Sequence, residues 1–256
     1  LIYSHNRTEI TNLYNQGRVI DLVQGNGFAK QGYPARALFS IPFVGINEKG
    51  NPVCINEKGQ ATVGDLNFQE RNNTDYLIYE GSTDPIYNGS LGNTFNYKGF
   101  HLNLFLTYAF GNVVRLDPVF KAKYNDLTSM THDFKNRWMQ PGDENVTNVP
   151  GVVSRYEYEQ NRTLLSTAYN AYNYTSVRTA KGDFIRLKEI SLAYDFPHRW
   201  LENSPVNNIS LKLQATNLML LYADKKLNGQ DPEFMNAGGV ASPMPKQFTL
   251  TLKLGL

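Results

Sequence analysis

The residue types that most often carry out catalysis are few in this chain and lie far apart. None of the four histidines has a second histidine four residues away or an H-E-x-x-H context. Asp231-Pro232-Glu233 offers the carboxylate oxygens that Ca²⁺ prefers, but it lacks the ligand spacing of an EF-hand and is better explained as a turn. The single cysteine, Cys54, has no second cysteine for a disulfide or a metal site. The sequence therefore predicts no catalytic residues, no metal, no cofactor and no enzymatic activity.

Ligand or partner binding is indicated instead by aromatic and charged side chains in two long segments, 112–182 and 218–246. Aromatic rings and charged groups suit sugars, peptides and protein surfaces alike. The residues predicted to face a substrate or partner are Trp138, Arg155, Tyr156, Arg162, Tyr172, Tyr222, Asp224, Lys225 and Asp231. The alternative is that both segments pack on each other and only shield what lies beneath them.

The elements that must position these segments are β-strands with strict alternation. From Gln247 to Leu256, every second residue is apolar and the others are polar or glycine. Side chains on a strand point to opposite faces with a period of two, so this strand has one apolar and one polar face. A tilted strand needs about ten residues to cross a bilayer. We predict a transmembrane strand with lipid on one side and water on the other.

The same pattern recurs upstream, clearly in most segments and weakly in the first. The predicted strands are 36–46, 87–97, 100–111, 183–196, 207–217 and 247–256. The residues predicted to face lipid are Leu102, Leu104, Leu106, Leu211, Leu213, Leu250, Leu252 and Leu254. The fold class that follows is all-β, an antiparallel transmembrane β-barrel with long extracellular loops.

The strand 183–196 has an irregular phase. Its alternation slips by one, and one extra residue near Lys188–Glu189 would restore it, which predicts a β-bulge. The alternative is that the upper half of this strand rises above the bilayer, where the facing of side chains is unconstrained.

Two local features are predicted inside the long segments. The turn signals Asn47–Pro52 and Asn56–Gly59 flank a short apolar run and indicate a small hairpin. A short helix is predicted within 112–182, with Asn125 or Asp126 as its cap and Pro141-Gly142 as its end. Its apolar face has helical spacing and comprises Leu127, Met130, Phe134 and Trp138.

Loop lengths orient the strands across the membrane. The Lys98-Gly99 turn and the linker 197–206 are short, whereas 47–86, 112–182 and 218–246 are long. Short periplasmic turns and long extracellular loops are the rule for outer-membrane barrels. A mean hydropathy of −0.43 is compatible with this, because every second strand residue faces water. A net charge of +2 is too small to indicate a nucleic-acid partner.

A series of motifs occurs in a fixed order along the chain. The most specific are Asp183–Tyr194 with Pro197, Ala215–Leu218, Gly229–Glu233 and Pro243–Pro245. In this order they resemble the C-terminal portion of SusC/RagA-type TonB-dependent outer-membrane transporters. With weaker matches upstream, the resemblance covers most of the chain from about residue 32.

The resemblance implies more than the residues show. Such proteins have a 22-stranded barrel, an N-terminal plug and a TonB box, and neither plug nor TonB box is in this chain. They are integral outer-membrane proteins of Gram-negative, Bacteroidetes-type bacteria, and they import oligosaccharides or peptides with TonB-supplied energy. The partners implied are a SusD-like surface lipoprotein as a lid, TonB through the missing N-terminal region, a second transporter–lipoprotein pair, and outer-membrane lipid.

Two other functions remain open from the sequence. One is a secreted β-sandwich that binds glycans through its tyrosines, and the other is a passive porin-like barrel without a plug. We also expect the chain to be part of a longer polypeptide. About six or seven strands are too few for a barrel that needs at least eight, and no secretory signal opens the sequence.

Overall fold

The computed structural model describes residues 1–125, 127, 130–202, 205–235 and 244–255. Its strands and α-helices, in chain order, are β1 (Ile2–His5), α1 (Val19–Val23), β2 (Ala37–Ser40), β3 (Phe43–Ile46), β4 (Pro52–Ile55), β5 (Ala61–Thr62), β6 (Ile78–Ser82), β7 (Tyr87–Tyr97), β8 (Phe100–Phe110), β9 (Val113–Arg115), α2 (Arg155–Gln160), α3 (Arg162–Asn173), β10 (Thr179–Lys181), β11 (Phe184–Asp195), β12 (Asn208–Ala223) and β13 (Gln247–Gly255). Short 3-10 helices lie at His132–Asn136, Asp143–Asn145, Ser176–Arg178, His198–Trp200 and Lys225–Leu227. Three residues named in the sequence analysis lie outside the described residues. They are the candidate helix cap Asp126, Pro243 of the last motif and Leu256 of the last strand.

One antiparallel sheet of six strands organises the fold, in the order β1-β7-β8-β11-β12-β13. β7 and β8 form a hairpin in which Tyr97 pairs with Phe100. Lys98 and Gly99 between them both have positive φ, 46° and 84°. Positive φ at both central residues defines the type I′ turn, whose twist matches that of the flanking strands. The short turn expected from the sequence is therefore present.

The strand register collects apolar residues on one face of this sheet. Leu102, Leu192, Leu213 and Leu250 lie side by side on four successive strands, and Phe95 continues the row on β7. All eight leucines singled out in the sequence lie on this face. We call it the apolar face.

The opposite face is polar. The row next to those leucines contains Asn103, Ser191, Gln214 and Thr249, and Thr94 continues it on β7. A shift of one residue in the strand pairing would move every leucine of a strand to the polar face. The alternation of the sequence therefore determines the register of the strands.

Aromatic rings lie at both ends of the apolar face. At one end, Phe100, Tyr194, Phe196 and Trp200 follow one another with centroid separations of 4.4, 5.1 and 6.0 Å. At the other end, Tyr108, Phe110 and Tyr222 follow with separations of 5.8 and 6.5 Å. The face is thus bordered by two aromatic rows. The first row comprises Tyr97, Phe100, Tyr194, Phe196 and Trp200, and the second comprises Tyr3, Tyr87, Tyr108, Phe110 and Tyr222.

The β-bulge predicted in the strand 183–196 is present. The pairing of β11 with both of its neighbours shifts between Leu187 and Glu189. Against β8, Lys188 is the extra residue, whereas against β12 two residues, Asn217 and Leu218, lie opposite it. The bulge returns Ile190 and Leu192 to the apolar face, as the sequence requires. The alternative interpretation, an unconstrained upper half, is not needed.

Two predicted strands need correction. The segment 36–46 is not a strand of the large sheet: β2 and β3 belong to two different small sheets, and Pro42, which has no backbone N–H, separates them. The strand predicted to end at residue 217 continues to Ala223, because Asn217 adopts a φ of 53° and the ladder resumes beyond it.

The segments between the long strands form a layer with cores of its own. It contains the small sheets β2–β6, β3–β4–β5 and β9–β10. Three clusters of buried apolar side chains lie in it: Val19, Leu22, Val23, Ala37, Phe39, Ile41, Cys54, Leu77 and Ala171; Val114, Leu116, Ala180, Leu227 and Met235; and Ala122, Leu165, Ala168 and Tyr169. The buried core of this chain therefore lies mainly in its loops. We call this part the loop layer.

The hairpin predicted from the two turn signals is present as the meander β3–β4–β5. Asn47 and Asn56 each accept two backbone N–H groups across their turns, at 2.9 to 3.0 Å. The two turns have the same geometry, which follows from their shared sequence Asn-Glu-Lys-Gly.

The helix predicted over residues 127–138 is wrong for the described residues, which hold only the 3-10 helix His132–Asn136 there. The α-helices α2 and α3 lie instead in the part expected to be polar-aromatic loop. Ser154 caps α2 by accepting the N–H of Glu157. No helix of the described residues is long and apolar enough to span a membrane.

Candidate functional site

A buried ion pair joins the large sheet to the loop layer. Arg186 lies on the polar face of β11, and its Nη2 contacts both oxygens of Asp231 at 2.5 and 2.6 Å. Glu233 contacts the same Nη2 at 3.2 Å. The side chains of Arg186 and Asp231 are 3% and 0% exposed, whereas that of Glu233 is 40% exposed. A buried charge is costly without a partner, so this contact fixes segment 231–233 on the sheet.

Apolar packing holds the rest of that segment. Leu227 and Met235 are buried with Val114, Leu116 and Ala180, which belong to β9, β10 and their flanks. Segment 224–235 is thus anchored at both sides of Asp231.

A second buried arginine, Arg178, holds the first long segment together. Its Nη1 lies 3.4 Å from Oδ2 of Asp133, and its Nη2 donates to the backbone oxygen of Asp117 at 3.0 Å. The guanidinium also lies 4.8 Å from the ring centroid of Phe120. Burial lowers the pKa of Arg178, and the carboxylate of Asp133 opposes that effect.

Amide side chains connect the two long segments through the same two residues, Asp117 and Asp133. Gln230 donates to Oδ2 of Asp117 at 2.9 Å, and Asn228 donates to Oδ1 of Asp133 at 3.0 Å. The segments 112–182 and 218–246 are therefore parts of one packed structure.

A third arginine, Arg115, lies inside the loop layer with neutral partners. It donates to the backbone oxygens of Val23, Thr175 and Phe39 and to the hydroxyl of Ser40, at 2.6 to 3.2 Å. Burial lowers its pKa to about 10. Arg115 thereby crosslinks α1, β2 and the end of α3 beneath the surface.

A cavity of about 690 Å³ lies where the polar face of the sheet meets the loop layer. Its walls come from β7, β8 and β11, from the turn at 83–85, and from segment 232–233. Charged residues on its lining are Arg36, Lys188 and Glu233. It is the largest of the cavities found among the described residues. We call it the wall cavity.

Several residues predicted to face a ligand have structural roles instead. Tyr172 is 2% exposed because its ring packs edge-on against Phe43 and Phe120. Asp231 is fully buried on Arg186. Asp224 accepts the N–H groups of Lys181 and Lys226, which places it at a turn.

Two further predictions are corrected by position. Tyr222 belongs to β12 and borders the apolar face, because that strand runs past its predicted end. Trp138 is half-buried and donates from Nε1 to Glu144 at 2.9 Å. Its ring lies over Gly50 and Gly151, where an added Cβ would come within 2.4 and 2.9 Å of it.

The remaining predicted residues are exposed. Arg155 and Tyr156 lie on α2, Arg162 begins α3, and Lys225 lies on the 3-10 helix of the other segment. The structure brings Arg155, Tyr156 and Arg162 together on one helical pair. We call these three residues the helix patch.

The charged and amide residues of the wall cavity were missed as site residues. Lys188 could have been found from the bulge, since bulges often redirect a side chain beside a functional site. Glu233 belongs to a motif that was interpreted as a turn, as a calcium ligand and as part of the family resemblance, but not as a binding residue. Asn112, which lines the same cavity, had no distinguishing signal in the sequence.

Comparison with known proteins identifies similar chains. No family model matches the sequence. The chain is 27% identical over 192 residues to TonB-dependent receptor P39 of Formosa agariphila, which is 70% of this chain and 17% of that protein. It is 26% identical over 160 residues to TonB-dependent receptor P3 of the same organism, 60% of this chain and 13% of that protein. The chain thus spans about a sixth or less of these curated relatives.

Solved structures share the fold. The structure of the RagAB peptide transporter matches 98% of this chain and 26% of its own, with a TM-score of 0.65 and 19% identity. The RagAB peptide importer in the closed-closed state matches 98% of this chain and 26% of its own, with a TM-score of 0.67 and 20% identity. The expected resemblance to TonB-dependent receptors is confirmed. The fold class is confirmed as antiparallel and mostly β, shared over nearly the whole chain with the RagAB structures. These proteins are named as receptors and transporters, in agreement with the expectation that the chain is not an enzyme.

The buried ion pair gives a test of how the loop layer is held. Asp231→Asn removes the fully buried carboxylate and leaves Arg186 with Glu233 alone, which is 40% exposed. Breaking a buried pair costs about 3–5 kcal/mol, and the remaining contact with Glu233 makes this an upper value. We expect a lower free energy of unfolding and faster proteolysis within 224–235. Asp65→Asn is the matched control, since the Lys58–Asp65 pair spans 3.9 Å and is exposed; its loss costs about 1 kcal/mol or less. Equal effects in chemical denaturation would show that the buried pair does not anchor the segment.

Proposed function

We propose that this chain is the C-terminal part of the barrel domain of a SusC/RagA-type TonB-dependent transporter in the outer membrane of a Gram-negative bacterium. The transporter imports oligosaccharides or peptides. One observation carries the proposal: the apolar face of the large sheet is exposed across its strands. Leu213, Leu250 and Leu252 are 55%, 66% and 58% exposed. Soluble monomers rarely expose a contiguous apolar area of this kind, whereas lipid would cover it.

The two aromatic rows support the orientation across the membrane that the loop lengths predict. Tyr and Trp are enriched where a membrane meets water, because their rings are apolar and their polar atoms stay hydrated. The row containing Trp200 then marks the periplasmic interface, and the row containing Tyr222 marks the extracellular one. The loop layer lies beyond the second row, outside the cell.

The sheet needs further strands. Among the described residues, β13 pairs with β12 alone, and β7 pairs with β1 only over Tyr87–Ser90. Unpaired backbone groups in hydrocarbon cost several kcal/mol each. We infer that the remaining strands of a 22-stranded barrel, with the plug and the TonB box, belong to the same polypeptide. The length of the relatives supports this.

The proposed partners follow from the loop layer and from the relatives. A SusD-like surface lipoprotein covers the barrel from outside and contacts the helix patch and Lys225. TonB supplies energy from the periplasm, and two transporter–lipoprotein pairs associate as a dimer. The similarity of the fold to that of the RagAB peptide transporter supports a lipoprotein partner of this kind.

The two rival functions fit less well. In a secreted β-sandwich, a second sheet would cover the apolar face, but the core clusters of the loop layer exclude the large sheet's leucines. A passive porin has no need of TonB, and the relatives are named TonB-dependent receptors.

Lipid contact is tested by placing arginine on each face. Leu104→Arg and Leu252→Arg put a charge on the apolar face, and arginine near the midplane costs about 2–4 kcal/mol. Thr249→Arg is the control, because its side chain lies on the polar face opposite Gln214. We expect only the first two variants to reduce folding into lipid vesicles, measured by urea titration. Equal losses in all three would contradict the assignment of faces.

Partner contact is tested at the helix patch. We expect Arg155→Glu with Arg162→Glu, or Tyr156→Ala, to weaken binding of the lipoprotein roughly tenfold or more, as central contact residues do. Arg199→Glu reverses a charge at the opposite end of the sheet and serves as the control. Co-purification and binding titration measure the effect. If every patch variant binds the lipoprotein with wild-type affinity, the helix patch is not a contact surface and only shields the structure beneath it.

Energy coupling tests the function as a whole. Cells that express the polypeptide should take up a fluorescent tripeptide or trisaccharide, and deletion of TonB should abolish that uptake. A passive pore would conduct equally well without TonB. Uptake at the wild-type rate in the deletion strain would therefore favour the porin over the transporter.

A further inference from the structure

We propose that the wall cavity binds a short peptide with free termini, with Lys188 holding the carboxylate and Glu233 holding the amino group. The inference rests on the proposed function and deepens it, since it selects peptides from the two substrate classes left open there.

Lys188 lies at the bulge in β11 and lines the cavity. As the extra residue between Leu187 and Glu189, Lys188 has no partner in the ladders on either side. Its side chain lines the cavity together with Thr107 of β8 and Ser90 of β7, which belong to the polar face. Lys188 follows Arg186 by two residues and therefore shares its polar face. The bulge changes the phase only of the residues after Lys188, so that Glu189 and Ser191 also lie on the polar face.

The charge of Lys188 is available to a ligand. Among the described residues, its Nζ has a contact with the sulfur of Met244 at 4.0 Å and no ion pair. Arg36, the other cation on the lining, is already paired with Asp84 at 2.7 Å. A half-buried ammonium without a carboxylate is best satisfied by an anionic group that enters the cavity.

Glu233 supplies the opposite charge. The guanidinium of Arg186 pairs with two carboxylates, because Asp231 and Glu233 both contact its Nη2. The three groups together carry one net negative charge. Asp231 is buried completely, whereas Glu233 is 40% exposed and lines the cavity. The negative charge is therefore presented by Glu233.

Neutral polar groups on the same lining suit a peptide backbone. Asn112 lines the cavity, is only 8% exposed, and its Oδ1 has no hydrogen-bond partner among the described residues. Buried polar atoms of this kind usually have a partner, such as a ligand or an ordered water. An amide side chain can donate to and accept from a peptide group at once. The hydroxyls of Ser90 and Thr107 add further donors and acceptors.

The charges favour a peptide over a neutral oligosaccharide. A ligand without charge would desolvate Lys188 and Glu233 without pairing either, which weakens binding. A peptide with an ammonium and a carboxylate pairs both. The rings of Phe105 and Phe184 give apolar walls for side chains, and the volume lies within the range of about 300–1,000 Å³ typical of small-ligand sites.

The test uses the complete polypeptide that carries this chain, purified in detergent, with calorimetric titration. The probes are the tripeptide Ala-Leu-Ala, its N-acetylated form, its C-amidated form, and maltotriose. We expect the free peptide to bind roughly tenfold or more tightly than either blocked form, because each block removes a charge-assisted contact. Maltotriose should bind more weakly still.

Single substitutions assign each terminus to its residue. Lys188→Met should weaken the free peptide roughly tenfold and make it bind no better than the amidated form. Glu233→Gln should make the free peptide bind no better than the acetylated form. Lys212→Met removes a lysine from the polar face outside the cavity and should leave all affinities unchanged. Folding of each variant is checked by circular dichroism.

The outcomes separate the site from the transporter function. The site is overturned if no peptide binds, if both variants bind every probe as the wild type does, or if maltotriose binding falls with the same variants. If peptide binding follows the expected pattern while uptake is independent of TonB, the site stands and the transport proposal fails. In one further outcome, the Glu233→Gln variant still binds the free peptide more tightly than the acetylated form, while the Lys188→Met variant no longer distinguishes the free peptide from the amidated form. That result would overturn the role of Glu233 alone.

Discussion

Hydrogen bonding between antiparallel strands determines which residues of this chain share a face, and the rest of the structure depends on it. Because side chains alternate with a period of two, a slip of one residue anywhere would mix leucines with asparagines and threonines. The leucine row from Leu102 to Leu250 remains continuous over four strands. The bulge at Lys188 keeps it so against β8, where the pairing shifts only between Leu187 and Glu189. Against β12 the pairing shifts there and again between Ile185 and Arg186.

The same register explains why a charged residue can be buried on this sheet. Arg186 lies on the polar face, where the loop layer covers it and Asp231 meets it. On the apolar face, an arginine would have no such partner. The pair connects two structures that are otherwise stabilised differently: the sheet by its ladders, and the loop layer by its own apolar clusters and by Arg115 and Arg178.

This arrangement suits the proposed transport function. A rigid sheet gives the loops a fixed base, and binding residues commonly collect on loops held in this way. The wall cavity lies at the boundary, so that a ligand there would contact the sheet and the loop layer together. The helix patch, which is exposed, is separated from the cavity and is available to a protein partner.

Features that depend on local order could be predicted from the amino-acid sequence. Alternation identified the strands from Tyr87 onward, their two faces and the bulge near Lys188, because each follows from the period of side chains along one strand. The Lys98-Gly99 and Asn47 turns were predictable for a similar reason. Glycine favours the positive φ found at Gly99 and Gly50, and the side-chain oxygen of an asparagine such as Asn47 can accept backbone N–H groups of its own turn.

Features that depend on residues far apart in the chain emerged only from tertiary packing. Trp138 lies outside any helix, and its ring packs on Gly50 and Gly151, so its helical spacing was misleading. Tyr172 and Asp231 are buried because Phe120 and Arg186 reach them from distant segments. The wall cavity combines Lys188, Asn112 and Glu233, which no local pattern connects. Packing between segments fixes burial and charge pairing, and periodicity along one segment cannot contain that information.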